Sequence, residues 1–246
     1  MSNKYQSLKA KGLYKKYGTH MVVRDVDVSV GRKEIVGLLG PNGAGKTTTF
    51  YMITGMIKPS KGEIFLDDEN ITQDAMYKRA RKGIGYLAQE PSIFSKLSVE
   101  NNLKLVLEMR KELSYDEQQE KLDLLLNDFS VDHIRNRKGG TLSGGERRRV
   151  EIARSLCMDP NFILLDEPFA GVDPIAVEEI QSIVNSLKER DIGVLVTDHN
   201  VRETLSITDR SYLLFEGQIL KSGTSEFLAA DDEARRLYLG EKFKLN

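Results

Sequence analysis

A chain of 246 residues is long enough for one large domain or for a core carrying a smaller inserted lobe. With 40% hydrophobic and 30% charged residues and a single cysteine, it is neither a disordered polymer nor a disulfide-dense secreted scaffold. The 36 basic and 37 acidic side chains leave a net charge of −1, so no overall basic field draws the molecule to nucleic acid or anionic lipid.

The first residues, Met1, Ser2, Asn3, Lys4 and Tyr5, lack an apolar stretch of the signal-peptide kind. Val26, Val28 and Val30 alternate with Asp25, Asp27 and Ser29, the period-2 pattern of a strand with one buried face. Residues 34–39 form a short apolar run between Gly31 and Gly40 and predict a strand buried on both faces. A helix is expected over about 45–56, then strands over 62–66 and 84–87. Between 91 and 159 the pattern changes: Leu103, Leu107, Leu122, Leu125 and Leu126 recur at helical spacings among many charges. This predicts a mostly helical lobe inserted into a sheet domain. Beyond it, strand-like 162–165 and 194–196 bracket a helix over 174–190, so the fold class is α/β with a largely parallel sheet. One two-lobed unit is expected, with 1–90 and 160–246 as the core and 91–159 as the lobe. No apolar run approaches the ~18 residues of a membrane span. Cys157 follows a helical Ile-Ala-Arg-Ser-Leu pattern and is expected in the core; it has no cysteine to pair with, and a reducing cytoplasm suits it.

Three motifs carry chemistry. Gly40, Pro41, Asn42, Gly43, Ala44, Gly45, Lys46 and Thr47 match G-x-x-x-x-G-K-[ST], after a predicted strand and opening a predicted helix. In that setting the backbone N–H groups curl around a β-phosphate and the helix N-terminus adds positive potential. Lys46 then reaches the β- and γ-phosphates, Thr47 ligates Mg²⁺, and Thr48 belongs to the same first turn. A glycine-rich turn with a surface lysine is the plainer alternative, and the spacing does not fit a dinucleotide fingerprint. Asp166 and Glu167 end the apolar run 162–165; beside a phosphate loop they suit a Mg²⁺ ligand and a base that polarises water, whereas alone they are solvated acids at a strand end. Ser143, Gly144, Gly145 and Glu146 precede helical 147–158 and make a second glycine-rich helix N-terminus, with Ser143 and Glu146 spaced as a capping box. One triphosphate does not need two such ends, but a head-to-tail dimer uses both. Arg147, Arg148 and Arg149 point to different faces of a helix and read as solvated or phosphate-proximal, without a nucleic-acid role.

These motifs, in this order, resemble the ATP-binding subunits of ABC transporters over nearly the whole chain. The resemblance implies a P-loop NTPase core with a mostly parallel sheet, an N-terminal antiparallel β subdomain and an inserted helical subdomain bearing the signature 142–146. It further implies that Tyr17 stacks on adenine, that Gln89 is the Q-loop residue and a metal contact, that residues 171–173 form the D-loop, and that His199 senses the γ-phosphate. ATP and Mg²⁺ are the implied cofactors. Implied partners are a second copy of the chain and integral membrane permease subunits, reached from the cytoplasmic face of the inner membrane. ATP binding closes the dimer and hydrolysis reopens it.

Within the family, residues 89–99, 143–153, 169–174, 197–203 and 238–245 resemble the ATPases of lipopolysaccharide exporters. The Tyr-Leu-Gly-Glu tail is shared with branched-chain amino-acid importers, so that alternative stays open. A soluble ABC protein acting on DNA or ribosomes is a third reading, which lacks the long insertion or second cassette common there. Ala88 replaces the proline usual before the Q-loop glutamine. Phe94, five residues after Gln89, lies where the family lines a groove for a coupling helix, and is expected as an aromatic anchor of that contact or, alternatively, as core filling.

Overall fold

The computed structural model describes residues 5–240 and 243. Residues 1–4 of the N-terminus, and Glu241, Lys242, Lys244 and Leu245 of the tail segment 238–245, lie outside the described residues. The chain runs β1 (Ser7–Tyr17), β2 (His20–Gly31), β3 (Ile35–Leu39), α1 (Lys46–Thr54), β4 (Lys61–Leu66), β5 (Glu69–Asn70), α2 (Met76–Arg81) and β6 (Ile84–Leu87). A helical stretch follows, α3 (Val99–Leu107), α4 (Tyr115–Asp128) and α5 (Gly144–Leu156), with short 3₁₀ turns between the last two. Then come β7 (Phe162–Asp166), α6 (Pro174–Glu189), β8 (Gly193–Thr197), α7 (Val201–Leu205), β9 (Arg210–Phe215), β10 (Gln218–Gly223), α8 (Ser225–Ala230) and α9 (Asp232–Ala234).

Two sheets form. The first is antiparallel, in the order β2-β1-β4-β5. The second, β10-β9-β3-β8-β7-β6, is parallel from β9 to β6, and β10 adds an antiparallel edge. Strands β3, β7 and β8 are buried at every residue, which is why they read as unbroken apolar runs. Their side chains still alternate. Phe162, Leu164 and Leu195 join Val36 and Leu38 in a core shared with the antiparallel sheet and α1. On the opposite face Ile163, Leu165, Val194 and Val196 join Ile35 and the leucines of α3 and α4. The parallel sheet is thus covered on both faces, and one apolar core runs from its strands into the helical stretch.

Helix starts follow local chemistry. Ser114 and Glu117 close a capping box on α4, Ser143 and Glu146 close one on α5, and Asp173 caps α6 with Pro174 at its first position. Cys157 is fully buried, and burial pushes its thiol up to about 12, as a core residue requires. Among the described residues no helix is long and apolar enough to cross a membrane.

One expectation is narrowed. Arg148 is not solvated: it is 6% exposed and held by the carbonyls of Ala88 and Asp166 and by Glu151. The helical phase turns it inward, and Glu151, one turn on, supplies the carboxylate that makes its burial tolerable.

Candidate active site

The order β3-β8-β7-β6 lines up four strand ends along one edge of the sheet, the carboxyl edge where ligands of open α/β sheets bind. Gly40 follows β3, Asp198 and His199 follow β8, Asp166 ends β7 with Glu167 beyond it, and Gln89 lies two residues after β6. Residues scattered over 160 positions of sequence meet for this reason alone.

The loop 40–47 curls because Gly40, Gly43 and Gly45 take φ of 147°, 80° and 98°, a region closed to most side chains. Ala44 N–H donates to the Pro41 carbonyl at 3.1 Å, and Gly217 N–H donates to the Ala44 carbonyl at 3.1 Å, tying the loop to the β9–β10 turn. Gly45 caps α1 without a side chain, so the first N–H groups of the helix are left for an anion. Lys46 is 8% exposed and its Nζ donates to the carbonyls of Gly40 at 2.6 Å and Pro41 at 3.1 Å. Burial lowers its pKa, against the pull of the Glu167 and Asp198 charges. Thr47 is exposed and Thr48 half-buried.

Asp166 is 2% exposed, and burial raises its pKa, with the Glu167 charge adding to the rise. Tyr86 Oη donates to Asp166 Oδ2 at 3.4 Å. Asp198 is fully buried; burial raises its pKa while the backbone N–H groups of Asn200 and Phe169, at 2.8 and 3.0 Å, oppose the rise. Glu167 sits at φ 46°, a left-handed turn that swings its carboxylate away from the strand. Gln89 Nε2 donates to Glu167 Oε2 at 2.7 Å, and His199 Nδ1 lies 3.3 Å from the same oxygen. Gln89, Glu167 and His199 therefore form one cluster.

The donors fit a divalent cation of oxygen chemistry. Thr47 offers a hydroxyl, Asp166 a carboxylate, and Gln89 keeps its amide oxygen when Nε2 donates. No group of three or more His, Cys, Asp or Glu able to hold a metal occurs among the described residues. That sparse set suits Mg²⁺, which keeps several waters and takes substrate phosphates rather than a full protein cage.

Tyr17 ends β1, is 49% exposed and carries Lys15 Nζ over its ring at 5.2 Å. Ser143 and Glu146 bond reciprocally at the N-terminus of α5, where Arg137 also pairs with Glu146 at 2.8 Å. Gly144 is exposed there and Gly145 is buried against Ala176. Phe94 is 47% exposed, which removes the core-filling alternative; its ring packs 5.3 Å from the guanidinium of Arg154. Arg154, with Met76, Tyr77, Tyr86 and Met109, lines an apolar groove of about 330 Å³. Phe94 lies beside that groove rather than in its wall.

Several residues escaped the sequence reading. Tyr86 stands in a short apolar strand, where a hydroxyl needs a partner, and that partner is Asp166. Glu151 is 3% exposed and accepts the N–H groups of Ser92 and Ile93, fastening the segment after Gln89 to α5. Its i, i+3 spacing from Arg148 was the signal available. Asp198 stood next to His199 but lacked any pattern that marked it as buried.

Comparison with known proteins identifies the family. A family model described as ABC transporter matches residues 23–170. The lipopolysaccharide export system ATP-binding protein LptB of Haemophilus influenzae is 54% identical over 238 residues, covering 97% of this chain and 99% of that protein. The protein of the same name from Escherichia coli K12 is 51% identical over 239 residues, with the same coverage. Among solved structures, the ADP conformation of MJ1267, an ATP-binding cassette of an ABC transporter, superimposes with a TM-score of 0.85 at 29% identity, covering 97% of this chain and 100% of that one. The dimeric bacterial ABC transporter cassette MJ0796 gives 0.77 at 27% identity, over 89% of this chain and 98% of that one. The chain belongs to the ABC transporter family, as one of its ATP-binding, ATP-hydrolysing cassettes.

Proposed function

We propose that this cassette is the cytoplasmic motor of a lipopolysaccharide exporter, working as a head-to-tail homodimer beneath membrane permease subunits on the cytoplasmic face of the inner membrane. The observation that carries the cargo is the near full-length identity, above 50%, to proteins whose names state that function. The geometry carries the chemistry.

Tyr17 offers its exposed ring to adenine, a contact worth ~1–3 kcal/mol by analogy with base–aromatic stacking. The loop 40–47 takes the phosphates on its N–H groups, and Lys46 leaves its own loop carbonyls to meet them. Thr47, Asp166 and Gln89 would hold Mg²⁺, which when bound would neutralise charge on the leaving phosphates. Glu167 accepts the proton of the attacking water. Gln89 Nε2 donates to Glu167, and His199 Nδ1 lies 3.3 Å from the same oxygen. With nucleotide bound, Gln89 would turn to hold the metal and His199 to meet the γ-phosphate, leaving Glu167 as the base. Ser143, Gly144, Gly145 and Glu146 of a second copy close the other side of the phosphates. Phe94, with Arg154 behind it, anchors the permease segment that enters the neighbouring groove.

Two measurements test this reading. Glu167→Gln should lower turnover by roughly 10²–10⁴ while ATP still binds, as loss of a general base does; near-normal hydrolysis removes Glu167 from that role. Purification of the tagged chain from membranes should bring lipopolysaccharide-export permease subunits with it. Recovery of an amino-acid permease instead would overturn the cargo and leave the chemistry standing.

A further inference from the structure

The buried side chain of Arg79 joins the wall of the groove to the helix that carries the phosphate lysine. Helix α2 has two working faces. Met76, Tyr77, Ala80 and Arg81 line the groove, and Tyr77 is 58% exposed. Arg79, on the same helix, is 1% exposed and points into the core. Its Nη1 donates to the carbonyls of Met52 at 2.9 Å and Ile53 at 2.7 Å, the last turn of α1. Its Nη2 donates to the Thr72 carbonyl at 3.1 Å, and Nε to the Asp74 carbonyl at 2.9 Å.

Four backbone carbonyls from two segments therefore converge on one guanidinium. None of these hydrogen bonds goes to a carboxylate: two go to carbonyls at the C-terminal end of α1 and two to the segment before α2, and the Asp74 charge adds its pull. Burial draws its pKa down to about 10, which still leaves it charged. The chain makes room for it: α1 stops at Gly55, φ 86°, where an added Cβ would stand 2.7 Å from Arg79 Nε. Helix α1 is nine residues, a rod of about 13 Å at 1.5 Å per residue, with Lys46 at its other end. Thr54, its final residue, also lines the groove.

We infer that Arg79 is a positioning residue that transmits occupancy of the groove through α2 to α1, and so sets the phosphate loop for ATP when a permease subunit is docked. This rests on the reading of the groove as the permease site. It is a second route beside the segment after Gln89: it enters the phosphate loop from behind, through backbone carbonyls, and touches no reacting atom. A planar fork is needed, because only a guanidinium spans both carbonyl pairs at once.

The test compares the isolated cassette with the same cassette assembled with its permease in lipid nanodiscs. Arg79→Lys keeps the charge and loses the fork. The isolated variant should hydrolyse ATP much as the parent does and should still co-purify with the permease. The gain in ATPase rate and in affinity for a fluorescent ATP analogue on assembly should fall by about fivefold or more, the size of an ordinary coupling between sites. An undiminished gain overturns the inference, and so does an equal loss in the free and assembled states, which marks Arg79 as a folding element only. Hydrogen exchange on the unaltered protein decides the matter even if Arg79→Lys fails to fold. Assembly without nucleotide should protect residues 76–81 and, with them, residues 49–53, the part of α1 outside the groove wall. Protection of 76–81 alone defeats the transmission. Protection of neither, together with normal permease recovery by Tyr77→Ala, defeats the docking reading itself.

Discussion

Lys46 is placed where a cation is costly without its substrate. The residue is 8% exposed, and two loop carbonyls are the hydrogen-bond partners of its ammonium. Burial outweighs the attraction of Glu167 and Asp198, because its pKa falls rather than rises. A lysine whose folded pKa lies below its unfolded value destabilises the fold while it is charged. The cost is full below the folded pKa and fades as pH rises through it toward the unfolded value. Lys46→Met, of similar length and no charge, should therefore raise the stability of the nucleotide-free protein by about 1 kcal/mol near neutral pH, while productive ATP binding is lost. Urea unfolding without nucleotide measures this, and the gain should shrink in alkaline buffer. A variant less stable than the parent would mean that the two carbonyl bonds outweigh the burial. The phosphate loop would then be a site in which stability is given up for affinity only elsewhere, as at the left-handed Glu167.

Helix α5 joins the signature to the hydrolysis edge. Its N-terminal box was legible in the sequence because Ser143 and Glu146 are local partners, three residues apart. The next turns were not. Arg148 and Glu151 meet Ala88, Ser92, Ile93 and Asp166, partners 18 to 60 residues away, and no periodicity in 147–151 announces them. The strands told the same story in reverse: apolar runs made β3, β7 and β8 plain, while the edge β10 and the short α7 carried too few buried residues for a pattern. Glu151 pairs with a buried guanidinium and receives two backbone N–H groups, so its removal leaves all of them uncompensated. Glu151→Ala should cost about 3–5 kcal/mol in chemical denaturation, the range for breaking one side of a buried ion pair. Glu151→Gln keeps acceptors for Ser92 and Ile93 and should cost less. Equal losses from the two variants would show that the charge on Arg148 is not what Glu151 compensates.

At the scale of the whole molecule, the proposed dimer makes the edge of the parallel sheet half of a site. One edge gathers Lys46, Asp166, Glu167, Gln89 and His199, whereas the signature N-terminus stands on the helical stretch with its own bonds satisfied by Arg137 and its capping box. The order of motifs in the sequence made both halves visible; the proposal that they belong to different copies rests on having two anion-binding helix ends and one triphosphate. A composite site makes a prediction that a self-contained site cannot. Lys46→Ala disables the phosphate loop of its own copy, and Ser143→Arg blocks the signature that its copy lends to a partner. Each homodimer should be inactive. In a mixed head-to-tail dimer both faults fall in the same site and the other site is intact, so mixing equal amounts before assembly should restore up to about a quarter of parental sites. If each copy used its own signature, every site in the mixture would carry one fault and no activity would return. Steady-state ATPase assays of the two variants, alone and mixed, separate these cases, and recovery on mixing would make nucleotide binding inseparable from dimer closure.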